Sequence, residues 1–451
     1  MHKHFIPIPN KRQALMKPNL WLVFALINVM GTACPAMAQN LPLTLQEGLR
    51  IVTEDSRVVK IARLSEAMAE SDMKIARAAL LPTISASASH TSLAHTPTSV
   101  LNGAEVETAV ADYYAYSISI QQILFDFRGN LSRYDASRMM LEAKKHDTTR
   151  IRNAMALDFT RFFYDYLESQ RLVETTAKEI ERLEAHLQNA ARLYEGGVIT
   201  RNDLLQVQVR LSDARQKHLS AKNGQALCAA KLNNLLSRPI YASVLAVDTG
   251  AIIAAPAPYD AEEFWKQAST LRAEILIVDH TLDAVDFETK MYKAEFLPKF
   301  YVRGSNDYME NPHQRYENNW SLMFGVNINL FEGGRALANV QKSQSQKKQL
   351  LEQRARLADE IRMELQYHSL HLQNAYARIQ VSQDAAGQAQ ENLRINKKRY
   401  EQGIGTATEV LDAVTLLTLA ETNQIQAVYD YRRAEAALHY ATGRNLLDIY
   451  R

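Results

Sequence analysis

Two stretches of this chain keep an apolar period of three to four residues far beyond ordinary helix length. In the first, the stripe is Ile151, Met155, Phe159, Phe162, Tyr166, Val173, Ala177 and Ile180. No Gly or Pro interrupts Leu131 to Glu195. In the second, the stripe is Ile361, Leu365, Leu372, Tyr376 and Ile379. This spacing marks a helix or coiled-coil seam. At 1.5 Å per residue each helix spans roughly 100 Å. No single globular core is that wide, so the helices must pack side by side in a rod or tube.

Before each long helix the period changes to two. Thr83 to Ser89 alternates small apolar and polar residues, and Tyr114, Tyr116, Ile118 and Ile120 alternate with Ala115, Ser117, Ser119 and Gln121. Later, Trp320, Leu322, Phe324, Val326, Ile328 and Leu330 alternate with Ser321, Met323, Gly325, Asn327 and Asn329. Alternation over about ten residues with an aromatic-rich face fits transmembrane β-strands. One such hairpin alone also fits a half-buried soluble hairpin. Four strands cannot close a barrel, and lipid tolerates no open sheet edge. If the strands span a membrane, the chain must oligomerise.

The landmarks come in pairs. Thr44-Leu45-Gln46-Glu47 and Asp260-Ala261-Glu262-Glu263 read as capping boxes. Thr44 to Pro82 and Asp260 to Pro298 are the same 38-residue interval, each ending at Leu-Pro. Phe125 to Tyr194 and Phe331 to Tyr400 are the same 69-residue interval. The chain is a tandem duplication. The expected organisation is a signal peptide at 1–38 and a first repeat at 39–238. That repeat holds a helix, a β-hairpin at 83–127, a long helix at 128–195, a tip turn and a helix at 200–236. A linker at 239–259 leads to the second repeat, 260–442. There the hairpin is 299–331, the long helix 335–401 and the last helix 406–442, before a tail at 443–451. The first hairpin is the longer, with an external loop expected around Pro97 to Asp112.

Composition agrees. The chain has 451 residues with only 16 Gly and 12 Pro, which favours long helices. Lys and Arg total 52 against 50 Asp and Glu, without the basic excess that tracks nucleic acid. Lys11, Arg12 and Lys17 precede an apolar run from Leu20 to Met30, and Ala36-Met37-Ala38 is an A-x-A site. This is an export signal, and Met16 is an alternative start. Cleavage after Ala38 removes Cys34 and leaves Cys228 without a partner. A lipid anchor on Cys34 is the alternative, although Gly31-Thr32-Ala33 lacks the usual aliphatic residue.

At the two predicted tips, Gly197 and Gly403 can take a positive φ and stop a helix. Thr200 and Thr406 are placed as N-caps, with Asp203 and Glu409 three residues on. Val198, Ile199 and Ile404 would be exposed apolar surface there, which suits a partner contact.

Together these landmarks resemble the TolC family of outer-membrane factors over nearly the whole mature chain. The resemblance rests on the Thr44-Leu45 opening helix, the paired Leu-Pro ends, the Phe-x-x-Gly strand exits and the two Gly-x-x-Thr turns. It implies a mainly α fold with a small β part: a long α-helical barrel across the periplasm and a shared transmembrane β-barrel. Four strands per chain would make twelve in a homotrimer, embedded in outer-membrane lipid. It implies docking to a periplasmic adaptor (membrane fusion) protein and an inner-membrane RND, ABC or MFS transporter. The docking residues carried over are Gly197, Val198, Ile199, Thr200, Asp203, Leu204, Gly403, Ile404, Thr406, Glu409 and Val410. For the closed end the candidates are Arg394, Tyr400, Asp384 and Glu391. The helix into the second tip, Glu391 to Tyr400, is basic and has no evident acidic ring.

No enzyme emerges. There is no Gly-x-Ser-x-Gly, phosphate loop or Cys-x-x-Cys, and no cofactor, catalytic residue or metal site is expected. His368 and His371 are three apart, but His368 lies on the stripe between Leu365 and Leu372 and reads as a seam residue. The expected function is passive exit of cargo for an efflux pump or a type I secretion system. A periplasmic coiled-coil scaffold or adhesin stalk without a pore is the alternative. The cargo is not legible.

Overall fold

The structure, a computed structural model, describes residues 42–248, 253–256 and 258–450. The expected signal peptide, its cleavage site, Met16 and Cys34 lie outside these residues. The first repeat runs α1 (Leu45–Asp55), α2 (Arg57–Ala78), β1 (Thr83–Ser92), β2 (Thr98–Leu101), β3 (Ala104–Glu107), β4 (Asp112–Phe125), α3 (Gly129–Glu195) and α4 (Arg201–Leu235). The second runs α5 (Ala261–Leu271), α6 (Ala273–Ala294), β5 (Lys299–Met309), β6 (Asn318–Asn327), α7 (Arg335–Glu401) and α8 (Ala407–Ala441), followed by α9 (Leu446–Ile449). Each helix of the first repeat has a twin of equal length. α3 and α7 both have 67 residues, and α4 and α8 both have 35.

The single helix expected before each hairpin is two helices. Ser56 is extended (φ −61°, ψ 147°), and its hydroxyl accepts the Val59 N–H, so it ends α1 and caps α2. Arg272 makes the matching break at φ −70°, ψ 117°. Its buried guanidinium donates to Glu274, to Glu364 and to the Ala441 carbonyl, 3.0–3.2 Å away, and lies over the Tyr440 ring. Glu274 is two residues away, but Glu364 and Ala441 lie on distant helices, and spacing along the chain gives no sign of them. The two opening capping boxes form by half. Thr44 and Asp260 accept from the first turn, but Glu47 pairs with Arg50 and Glu263 accepts from Gln267.

The strands form one antiparallel sheet in the order β1-β4-β5-β6. The longer first connection is not plain loop, because β2 and β3 pair within it. The second hairpin is shorter than expected, since β6 ends at Asn327. The entries to the long helices need left-handed backbone. Gly333 and Gly334 supply it in the second repeat at φ 61° and 84°. In the first repeat Phe127 and Arg128 adopt it at φ 53° and 68°.

α3 packs on α2 and α6 toward the sheet and on α4 and α8 toward the tips, and α7 packs on α6 and α8. The result is a wall four helices wide. A core of Leu49, Val52, Phe159, Phe163 and Leu232 clamps its middle. The linker is pinned there: Tyr166 Oη donates to the Val244 carbonyl, Tyr431 Oη to Ala254, and Asn233 Nδ2 to Ile240 and Ala242. A second core, with Val207, Leu211, Val410 and Val414, holds the tip end.

Candidate functional site: helix tips and strand sheet

The two tips are built alike. Gly197 (φ 71°) donates to the Tyr194 carbonyl, and Val198 N–H donates to Leu193, 2.8 Å away. Gly403 (φ 73°) donates to Tyr400, and Ile404 N–H to Arg399, at 3.0 Å each. Each is a Schellman stop. A capping box then starts the next helix. Thr200 Oγ1 accepts the Asp203 N–H, and the Asp203 carboxylate accepts the Thr200 N–H. Thr406 and Glu409 repeat the pattern. Both stop and start use only local bonds.

These turns project Val198 and Ile404, 61% and 66% exposed. Ile199 and Leu204 are half-buried against the tip core. Val410 is fully buried in that core and belongs to the interior, not to a docking surface.

The closing candidates do not form a linked set within the chain. Arg394 forks onto Glu391 of its own helix at 2.5–2.7 Å, and both are exposed. Asp384 accepts from Gln380 at 3.4 Å. Tyr400 is buried, with its ring edge-on to His186 at 4.9 Å. Burial, with Lys397 nearby, holds the His186 imidazole down to about 4, against a backbone hydrogen bond to Ala407.

At the tip, Arg399 of α7 pairs with Glu409 of α8 at 3.9 Å, and Thr408 of α8 donates to Gln206 of α4. Tighter cross-helix links lie farther up. Arg182 of α3 forks onto Glu421 of α8 at 2.6 and 2.9 Å. Arg433 of α8 donates to Asp165 and Glu168 of α3, at 2.7 Å each. Helical spacing rules relate residues three or four apart, so partners more than 200 positions apart leave no trace in the pattern.

The sheet separates polarity by face. Ile84, Ile118, Ile120, Leu322, Phe324 and Trp320 share one side and are all exposed. The other side carries a row of serines in register across all four strands: Ser85, Ser119, Ser305 and Ser321. Ser85 and Ser119 share a 2.9 Å hydrogen bond, and Ser305 and Ser321 one of 2.8 Å. Ser117 and Ser305 both donate to Asp307. At the helix junction Leu81, Phe125, Phe127, Phe296, Leu330 and Phe331 are exposed together. An apolar outer band above an aromatic belt, with a polar inner face, is the pattern of an outer-membrane strand wall.

Among the described residues no group of three or more His, Cys, Asp or Glu is arranged to hold a metal ion, and no helix is long and apolar enough to cross a membrane. His368 is a seam residue; burial, with Arg161 close by, holds its imidazole down to about 4.

Known proteins share this arrangement. The family described as outer membrane efflux protein matches residues 50–238 and 266–444, the two repeats. The alkaline protease secretion protein AprF of Pseudomonas aeruginosa is 25% identical over 344 residues, 74% of this chain and 70% of that protein. The outer membrane efflux protein BepC of Brucella suis is 22% identical over 443 residues, 97% of this chain and 93% of that protein. Among solved structures, the outer-membrane channel OprN superposes with a TM-score of 0.78 at 15% identity, covering 89% of this chain and 90% of that one. The outer membrane protein VceC of Vibrio cholerae superposes with a TM-score of 0.77 at 16% identity, covering 89% and 96%. With both repeats matched and the duct-like fold in place, this chain belongs to the outer membrane efflux protein family and is an outer-membrane exit channel.

Proposed function

We propose that three copies of this chain close one twelve-strand barrel in the outer membrane and one helical tube below it, giving cargo a passive exit. The observation that carries this reading is the sheet itself. Its edge strands β1 and β6 have no further partner in the sheet, and its outer face carries large exposed apolar side chains on both edges, Ile84 on β1 and Trp320, Leu322 and Phe324 on β6. Such edges must be paired inside lipid. Joining β6 of one copy to β1 of the next pairs them all.

The lower end is read as the docking end. Val198 and Ile404 stand exposed on twin capped turns, where a periplasmic adaptor can meet them, with an RND, ABC or MFS transporter behind it. The organisation follows the repeats, 39–238 and 260–442 around the 239–259 linker. Energy and choice of cargo come from the transporter, and the duct itself carries out no reaction. A relative named for protease secretion and one named for efflux leave both cargo classes in view. The pore-free stalk gives no role to a lipid-facing sheet.

Two measurements test this. Outer-membrane fractions should contain a trimer that falls to monomers only on heating. Val198→Asp with Ile404→Asp should keep that trimer and lose capture by a co-expressed periplasmic adaptor protein. A monomer in the soluble periplasmic fraction would sink the duct reading. Full adaptor capture by the double variant would remove the tips from it.

A further inference from the structure

The two repeats fill their middles differently. α7 starts at Arg335, 206 positions after α3 starts at Gly129, and α8 starts at Ala407, 206 after Arg201 of α4. The opening helices are twins at 216, since α5 starts at Ala261 and α1 at Leu45. In the first repeat large rings occupy the space beside the linker. Phe163 and Tyr166 of α3 are buried there with Leu232, and Phe159 packs against Gly48. In the second repeat the twins of Phe163 and Tyr166 are Ser369 and Leu372, and that of Phe159 is Leu365. Phe264, the twin of Gly48, gives back one ring. What remains is a cavity of about 310 Å³ between α5, α7, α8 and the segment 254–256. Small-molecule sites run from roughly 300 to 1,000 Å³.

The cavity has an apolar wall and a polar one. Phe264, Leu372, Tyr431 and Leu438 make the first, and Glu435, His439 and Ser369 the second. The acid is particular to this repeat, because the twin of Glu435 is Ala229. Burial pushes the Glu435 carboxyl above the usual carboxylate range, even with Arg432 3.6 Å away. The twin of His439 is Asn233, whose amide is spent on the linker carbonyls of Ile240 and Ala242. The His439 ring makes no such tie among the described residues. Burial, with Arg444 nearby, pushes its imidazole below the usual range, so the ring is neutral and offers a bare nitrogen as acceptor. The rim is already paired: Gln267 donates to Glu263 at 2.7 Å and accepts from Arg444 at 3.1 Å.

We infer that this cavity binds an amphipathic organic amine. Its ammonium pairs with the Glu435 carboxylate and donates to His439 and to the Ser369 hydroxyl, and its apolar body lies on Phe264, Leu372 and Tyr431. A partly desolvated carboxylate gains from an incoming cation and repels an anion. The aromatic faces of Tyr431 and Phe264 favour the same sign of charge. An amine without an apolar body would leave the apolar wall bare, and a neutral ring would leave Glu435 unanswered. The site lies within one chain, so it stands whether or not three copies close a duct.

Calorimetric titration of the purified full-length protein with 2-phenylethylamine at neutral pH tests this, with empty micelles subtracting uptake by detergent. The isosteric anion 3-phenylpropionate and the ring-free amine putrescine are the controls. The phenyl amine should saturate at one site per chain. Both controls should bind roughly tenfold more weakly or worse, the loss expected when a charge-assisted bond or the apolar contact is missing. Glu435→Gln should weaken the phenyl amine by a similar factor. Ser369→Phe, which restores the ring of the first repeat, should abolish its binding in protein that still melts cooperatively. If Ser369→Phe does not fold, Glu435→Gln and the two controls decide. Absence of saturation in the parent, equal binding of the anion or of putrescine, or undiminished binding by folded Ser369→Phe overturns the site.

Discussion

The ring of Tyr400 on α7 meets the ring of His186 on α3 edge-on, 4.9 Å between centroids, and both side chains are buried. His186 stays neutral in the folded chain down to about pH 4, whereas an unfolded chain titrates near 6.5. Between those values the unfolded state binds the extra proton. Stability from this site is therefore full above about pH 6.5, falls as pH drops, and levels off near 4. The change is about 3 kcal/mol. Thermal melts from pH 7 to 4.5 should fall less steeply for His186→Gln than for the parent. Parallel slopes would remove His186 as the cause.

Tyr400 Oη is buried without a hydrogen-bond partner. Leaving a buried hydroxyl unpaired costs on the order of 1–3 kcal/mol. Tyr400→Phe should therefore be neutral or slightly stabilising, with unchanged conductance. Higher conductance in Tyr400→Phe would return the hydroxyl to a closing role.

The tip glycines sit at φ 71° and 73°, and a Cβ there would touch nothing within 4 Å. The cost of Gly197→Ala or Gly403→Ala is thus backbone strain alone, about 1 kcal/mol each. Gly387 also has open space but lies inside α7, so Gly387→Ala should stabilise by about 0.5–1 kcal/mol. Chemical denaturation of the three variants checks the opposite signs.

Removing a buried charge from its partners costs more. Arg272 ties the α5–α6 break to Glu274, Glu364 and the end of α8. Arg272→Ala leaves those carboxylates uncompensated and should cost about 3 kcal/mol. Arg272→Lys should restore only part of it, because an ammonium cannot reproduce the fork. Full rescue by lysine in a melting experiment would contradict this.

Adjacent residues on β6 point to opposite faces of the sheet. Phe324→Arg places a charge on the lipid face and should cost about 2–4 kcal/mol of barrel stability. Met323→Arg faces the polar side and should assemble normally. The yield of heat-resistant oligomer separates the two, and equal yields would reverse or abolish the facing.

Much of this was legible because it is written as period and spacing. The α3 and α7 stripes, the alternation in β4 and β6, and the twin tips all follow from residues within one turn or one strand of each other. What stayed hidden depends on distant groups. The Arg272 break is made by Glu364 and Ala441, and the Arg182–Glu421 lock by two helices that meet only in the fold. Val410 reads from the sequence as a docking residue and Tyr400 as a closing contact, yet the tip core buries both. Gly48 is a further hidden requirement, because a Cβ there would collide with the Phe159 ring. An isolated glycine inside a helical pattern was the available signal.

A duct must hold an aqueous pore, and single-channel recording detects one. The heat-modifiable oligomer, purified from outer membranes and added to a planar bilayer, should insert in discrete steps, each a stable aqueous conductance. A folded oligomer that enters the bilayer and passes no current would mean that the assembly holds no pore.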